Sequence, residues 1–405
     1  MELLKLAVVF SVIVAILKLN KPLATAIAGA CIATSLLYGI GLVDTLQITV
    51  RSLTSFDTVS LLLVFYLVIF MQRMLEKRDA LRTMLQSLNG IFNNRRVNAA
   101  LAPGLVGLLP SPAAIPLCGA IIEETAENHL TAEEKSFVTV YYRHIPESFI
   151  PTYPAIILGA QLSGVALSSY VYYMLPMAFV LVGLGYIHQL RKLPKDTGQP
   201  KSENRGKDFV TLCRNLWPIA LIVIMVVAFE APLYIAALTS VALYMFAGKF
   251  TWSEIRPMFF TAFESKLLTS TAAIMVFRDI INATGVIEIL PDFFYALPIP
   301  PYLVFFLIFF LGTLVCGQLT IIATCLPLAF GTIPNAGAPL LVLLLSTASI
   351  ANKVSPTHIC LAIAAEYFKI SIGALIKKTI PVAVSFSVIL IGYYLFLTTI
   401  WRTLC

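Results

Sequence analysis

Residues 107–122, GLLPSPAAIPLCGAII, decide how the rest of this chain is read. The stretch is apolar enough for a membrane interior, yet Pro110, Pro112 and Pro116 cannot sit in one continuous helix, because proline lacks an N–H and clashes with the preceding turn. Around it, 59% of the 405 residues are hydrophobic and 12% are charged. A soluble domain averages about a quarter charged residues. Apolar runs recur along the whole length, and a span needs roughly 20 such residues. The chain therefore reads as an all-α polytopic membrane protein. Irregular backbone survives at membrane depth only where it is buried in protein or lines a wet cavity, so the broken stretch marks a place where such a cavity is expected.

Working outward, spans are expected at 3–18, 22–42 and 57–72, then a polar amphipathic stretch over 73–96. The broken segment 97–127 follows, then a broken helix over 131–167 that starts at a Thr-Ala-Glu-Glu capping box, and a span at 169–189. The first run is short, but no small-residue cleavage site in a polar context follows it, so it is kept as a span. A basic linker, 191–208, divides the chain. Spans at 209–229, 231–248 and 264–283 come next, with the amphipathic TWSEIRPMFF before the third and VIEILPDFFYALPIPP after it. An apolar segment at 300–330 is interrupted at CGQLT; a helix at 336–352 breaks at NKVSPTH and resumes at 357–372; the last span is 376–399. Residues 1–190 and 209–405 thus repeat one order of elements.

Basic residues mark the cytoplasmic side. Lys18, Lys21, Arg73, Lys77, Arg78, Arg82, Arg95, Arg96, Arg191, Lys192, Lys195, Lys201, Arg205, Lys207, Lys249, Arg256, Lys377 and Lys378 all fall there in one threading. That threading puts both termini outside and the central linker 191–208 inside the cell. Segments 97–127 and 300–330 must then be re-entrant helical hairpins entering from opposite faces. The expectation is two inverted-topology repeats, each with a re-entrant hairpin and a broken transmembrane helix, a plan that points to alternating-access transport.

Four breaks carry the candidate site. The hairpin tips offer Pro110, Ser111 and Pro112 in the first half, with Gly317, Gln318 and Thr320 in the second. The broken helices offer Arg143, His144, Glu147 and Tyr153, then Asn352, Ser355, Thr357 and His358. Helix amino ends at breaks suit an anion, carbonyl ends suit Na⁺, and hydroxyls and amides orient a polar solute. Charges at membrane depth cost about 2.5–3.5 kcal/mol each, so either Arg143 binds a substrate anion while His144 or Glu147 exchanges protons, or Arg143 and Glu147, spaced i, i+4, form an internal ion pair at the membrane surface. His358, at a helix start, is either a ligand or proton carrier or a packing histidine. Arg278 and Asp279 mark the end of a span. Glu366 and Lys369, farther along the His358 helix, read as a structural pair near the cytoplasm. The acidic run Glu123, Glu124, Glu127, Glu133 and Glu134 reads as a solvated cytoplasmic face.

Other chemistry finds little support. The seven cysteines lie mostly in apolar runs without metal-ligand spacing and read as small buried hydrophobes. HExxH, GxSxG, a Walker A loop and CxxC are all missing, so no enzyme, no resident metal and no cofactor are expected. The net charge of +7 is a topology signal, with no nucleic-acid partner.

The stretches GLLPSPAAIPLCGAIIEE, YYRHIPESFIPTYPAIILGAQLSGV and KVSPTHICLAIAAEYFK resemble the prokaryotic membrane-protein family catalogued as domain of unknown function 401, across essentially the full length. That family resembles the ion transporter superfamily of divalent anion/sodium symporters, arsenite efflux pumps and citrate carriers. The resemblance implies a homodimer in the cytoplasmic membrane, a scaffold made of the early spans of each half, and a moving part made of hairpins, broken helices and last spans. The dicarboxylate carriers have a Ser-Asn-Thr triplet at each tip. Here the tips read Leu109-Pro110-Ser111-Pro112 and Gly317-Gln318-Leu319-Thr320, so the triplet that carries sodium coupling and dicarboxylate specificity in those carriers is not repeated. The function expected is a secondary active transporter of elevator type for a small anionic solute, coupled to H⁺ or Na⁺. A lipid-phosphate or lipid-linked carrier flippase is the alternative; a membrane scaffold or an intramembrane enzyme is the third reading.

Overall fold

A computed structural model describes residues 2–108, 115–196, 204–333 and 335–401. Within them the chain is helical throughout. The first half holds α1 (Glu2–Lys18), α2 (Leu23–Tyr38), α3 (Leu42–Thr54), α4 (Phe56–Lys77), α5 (Ala80–Ile91), α6 (Arg95–Val106), α7 (Ile115–Ala126), α8 (Ala132–Arg143), α9 (Pro154–Ser163) and α10 (Leu167–His188). The second holds α11 (Arg205–Val227), α12 (Leu233–Ala247), α13 (Trp252–Thr261), α14 (Ser265–Ala283), α15 (Val286–Tyr295), α16 (Pro301–Cys316), α17 (Gln318–Thr332), α18 (Gly337–Asn352), α19 (Ile359–Tyr367) and α20 (Ile372–Leu395). Among the described residues, α4, α10, α11 and α20 are long and apolar enough to cross a membrane.

The helix ends follow from ordinary capping chemistry. Ser55 accepts from the Thr58 amide at the start of α4, and Asn94 accepts from the amides of Arg96 and Val97 at the start of α6. Thr131 and Glu134 form the expected capping box of α8. Glu134 differs from the solvated face expected of it. It is buried, and its Oε1 takes Lys192 at 2.6 Å and Lys378 at 3.3 Å, tying α8 to the segment after α10 and to α20. The helix expected over 357–372 ends at Tyr367, because Lys369 turns left-handed at φ +54° and Ser371 then caps α20. The amphipathic helix α3, its apolar residues exposed on one side, was not expected at all.

Packing repeats between the halves. α6 lies against α7 and α8, as α16 lies against α17 and α18. The short helices exchange: α9 packs on α17, and α19 packs on α7. Leu340–Leu345 of α18 are all buried, the pattern of a helix enclosed on every side. α16 and α17, of 16 and 15 residues, are each only about 22–24 Å long at 1.5 Å per residue. That is short of a hydrocarbon core of roughly 30 Å.

Candidate functional site

The first half of the site is made by α8 running out of helix. Pro146 has no N–H to offer and a ring that blocks the turn behind it. The chain answers with a 3-10 turn, Pro146–Ser148, and restarts at Pro154, a residue suited to the first helical position. Arg143, His144, Glu147 and Tyr153 are thereby gathered in one bend. The bend is held from α10's side: the Tyr141 and Tyr142 hydroxyls donate to the carbonyls of Leu181 and Val182, and the Tyr170 hydroxyl donates to Ser148 at 2.7 Å. A Cβ at Gly107 would run into the Arg143 carbonyl, so only glycine lets α6 end this close.

The second half has two pieces. α18 ends at Asn352, the Ser355 and Thr357 hydroxyls bond to each other at 2.9 Å, and His358 stands at the N-cap of α19. Separately, α16 and α17 meet at Gly317, whose φ of 82° and ψ of 159° fall in a region essentially reserved for glycine.

These pieces enclose one cavity of about 390 Å³, within the usual range for small-molecule sites. Arg143, Glu147, Tyr153, Gly317, Gln318, Thr320, Asn352 and His358 line it. So do Pro154 and Ala155, Gln318 to Thr320, and Ile359 and Cys360, which are the opening residues of α9, α17 and α19. Three helix amino ends, with their partial positive charges, face one space. Arg143 is 1% exposed and bonds Glu147 at 3.0 Å, so it is both a cavity wall and half of an ion pair. The Tyr153 hydroxyl is buried without a hydrogen-bond partner among the described residues.

His144 and His358 meet Nε2 to Nε2 at 2.9 Å. His144 Nδ1 lies 2.6 Å from the Val140 carbonyl. A carbonyl only accepts, so Nδ1 carries the proton and a neutral His144 presents a lone pair at Nε2. His358 must then donate its Nε2–H across the contact. Donor atoms of His144, His358 and Cys360 all lie within 4.8 Å of one another, a set of the kind a transition metal accepts. Arg143 Nη1 stands 3.8 Å from the Cys360 sulfur, and its charge opposes a cation there.

Ser355 and Thr357 lie at the same break outside the cavity lining, with Ser355 Oγ near the Leu314 carbonyl at 3.5 Å. Pro110, Ser111 and Pro112 lie outside the described residues. Arg278 and Asp279 pair with each other inside α14, in the turn or so before its end at Ala283. The sequence reading missed Cys360, whose place at α19's first turn was hidden in an apolar run. A second hollow, about 660 Å³, is lined by Gly164, Val165, Tyr173, Asn335 and neighbours, none of them charged among the described residues.

The fold is shared with two solved membrane proteins. MtrF of Neisseria gonorrhoeae, from a class of antimetabolite efflux pumps, aligns over 88% of this chain and 84% of its own at 13% identity, with a TM-score of 0.58. The YdaH transporter of Alcanivorax borkumensis, noted for an unusual topology, aligns over 93% of this chain and 98% of its own at 14% identity, with a TM-score of 0.52. No curated protein matches the sequence. Residues 2–397 match the family described as "Protein of unknown function (DUF401)", and the chain belongs to that family.

Proposed function

We propose that this protein is a secondary active transporter that carries a small anionic solute across the cytoplasmic membrane by alternating access. The observation behind the reading is the convergence of three helix amino ends and a buried arginine on one cavity formed at helix breaks. Fixed dipoles and a buried guanidinium recognise negative charge. The cavity draws on both halves of the chain, as a shared central site between repeats does. In this reading residues 1–190 and 209–405 are inverted repeats, α6–α7 and α16–α17 are re-entrant hairpins, and the protein works as a homodimer related to the ion transporter superfamily. The early helices of each half are a scaffold against which the rest moves, elevator fashion. No bond is made or broken in the solute.

The driving ion is H⁺ or Na⁺, and the His144–His358 contact favours H⁺. Two imidazoles at 2.9 Å share one proton in the neutral state and can accept another from the cavity through His358. The test is uptake of radiolabelled lactate and succinate into proteoliposomes under an imposed pH gradient or an imposed Na⁺ gradient. Uptake should follow the pH gradient and fall at least tenfold in Arg143→Ala and His358→Ala variants. Transport unchanged in both variants rejects the assignment; uptake that needs Na⁺ and ignores pH moves the coupling ion away from the histidines.

A further inference from the structure

The buried charges around the cavity do not balance, and Lys353 is the reason. It is 3% exposed and follows Asn352, a cavity residue, at the carbonyl end of α18. Its Nζ donates to Ser349 Oγ at 2.8 Å and to the Ser349 carbonyl at 3.4 Å. A helix carboxyl end favours a cation, so the ammonium is held there by dipole and hydroxyl. No carboxylate pairs with it among the described residues. It shares the lining of a small hollow with Ser148, Ser346 and Ser349 and the apolar Met174, Leu181, Ile350 and Phe386. Its charge acts on His144, Glu147 and His358.

Arg143 is matched by Glu147. Among the described residues Lys353 has no acid within ion-pair distance, so around the cavity two buried cations against one carboxylate leave a single positive charge in excess. Residues 109–114, LPSPAA, carry no charge and cannot alter the balance. Lys18 acts on Cys316 from the exposed end of α1, where water screens it. A lone charge is costly at membrane depth. A ligand with one negative charge would cancel it; a dianion would overshoot, and a divalent metal on the histidine–cysteine cluster would add to it.

We propose that Lys353 is a fixed internal counter-cation that makes the site selective for a singly charged organic anion, a small monocarboxylate. The proposal rests on the anion reading above and narrows it. The carboxylate meets the amino ends of α17 and α19 and the Tyr153 hydroxyl, while Ala155, Leu319 and Ile359 accept a short carbon skeleton. With the His144–His358 pair neutral, the site loaded with one monocarboxylate carries no net charge.

The test is ligand-induced thermal stabilisation of the purified full-length protein, read as apparent affinity, with lactate and butyrate, succinate, butyramide and zinc chloride as probes. Wild type should prefer the two monocarboxylates. Lys353→Met should weaken their binding on the order of 10- to 100-fold, the effect of one unit charge acting from behind the cavity wall at an effective dielectric of about 20. Glu147→Gln, which adds one positive charge, should move the preference to succinate. A Lys353→Met protein that keeps wild-type affinity for lactate or butyrate, or a Glu147→Gln protein with unchanged preference, overturns the counter-cation role while leaving anion binding intact. Should Lys353→Met fail to fold, Lys353→Arg must retain monocarboxylate binding or the role is likewise refuted. A wild-type protein stabilised by zinc chloride and by none of the carboxylates overturns both the counter-cation and the anion reading.

Discussion

Between α8 and α9 the chain takes ten residues, 144–153, to turn a corner that it turns in six, 353–358, between α18 and α19. The longer break contains Pro146 and Pro151, the shorter only Pro356. Both end in a residue that lines the cavity and opens a short helix: Tyr153 before α9, His358 before α19. The charges differ. The longer break brings its own carboxylate, Glu147, to Arg143; the shorter brings an ammonium, Lys353, and no acid. Similar packing around each break thus carries unlike electrostatics, and the chemistry of the cavity comes from that inequality.

Removing one cation from each break tests the inequality without any ligand. Arg143→Ala strands Glu147 beside a buried site, and a buried pair broken on one side costs about 3–5 kcal/mol. Its unfolding midpoint in denaturant should fall accordingly, and Arg143→Ala/Glu147→Ala should recover part of the loss. Lys353→Met removes a charge that has no partner to strand, so the unliganded protein should lose little or gain. Equal losses in the two variants would mean that Lys353 has an acidic partner after all.

The next effect in size belongs to Gly317. Alanine there would have to hold a backbone region that costs about 1–3 kcal/mol for other residues, although nothing stands within 4 Å of the added carbon. Gly392 in α20 is an equally open glycine with an ordinary helical φ, where alanine should stabilise by about 0.5–1 kcal/mol. A melting temperature that rises or holds in Gly317→Ala, as it should in Gly392→Ala, would show that Gly317 is replaceable. If the strain is confined to the α16–α17 corner, Gly317→Ala should also reduce anion binding, because Gln318 and Thr320 take their places from it.

The legible parts of this molecule were those that write themselves in short-range chemistry. Prolines at 146, 151, 154 and 356 announce where helices stop, and Arg143, His144 and Glu147 stand out against apolar neighbours. The helix α13 was legible from TWSEIRPMFF, with its Thr251–Glu254 capping box. Its counterpart in chain order, α3, was not, because its apolar residues run on from the preceding span and no capping side chain marks its start. Cys360 and Lys353 were hidden for a different reason. A cysteine in an apolar run reads as a small hydrophobe, and a lysine in NKVSPTH reads as a loop residue reaching for water. Only the folded arrangement buries that lysine without an acid. Glu134 shows the same limit: within an acidic run it looks solvated, and two lysines distant in sequence make it a buried anchor.

Tyr153 offers the smallest and most discriminating change. Its ring is buried, it caps no helix through its side chain, and its hydroxyl has no partner among the described residues while it lines the cavity. A buried polar group left unsatisfied costs about 1–3 kcal/mol. If the hydroxyl waits for an anion, Tyr153→Phe should leave the unliganded protein as stable as wild type or about 1 kcal/mol more stable. Its affinity for lactate or butyrate should fall about five- to tenfold, the worth of one hydrogen bond. A structural tyrosine behaves oppositely, losing stability on truncation with ligand response unchanged. Glu147 and Arg143 both act on this hydroxyl, so it sits where the paired charges beside the longer break face the cavity. The phenylalanine variant therefore asks whether that break contributes to binding at all, or whether recognition rests on Lys353 and the helix ends alone.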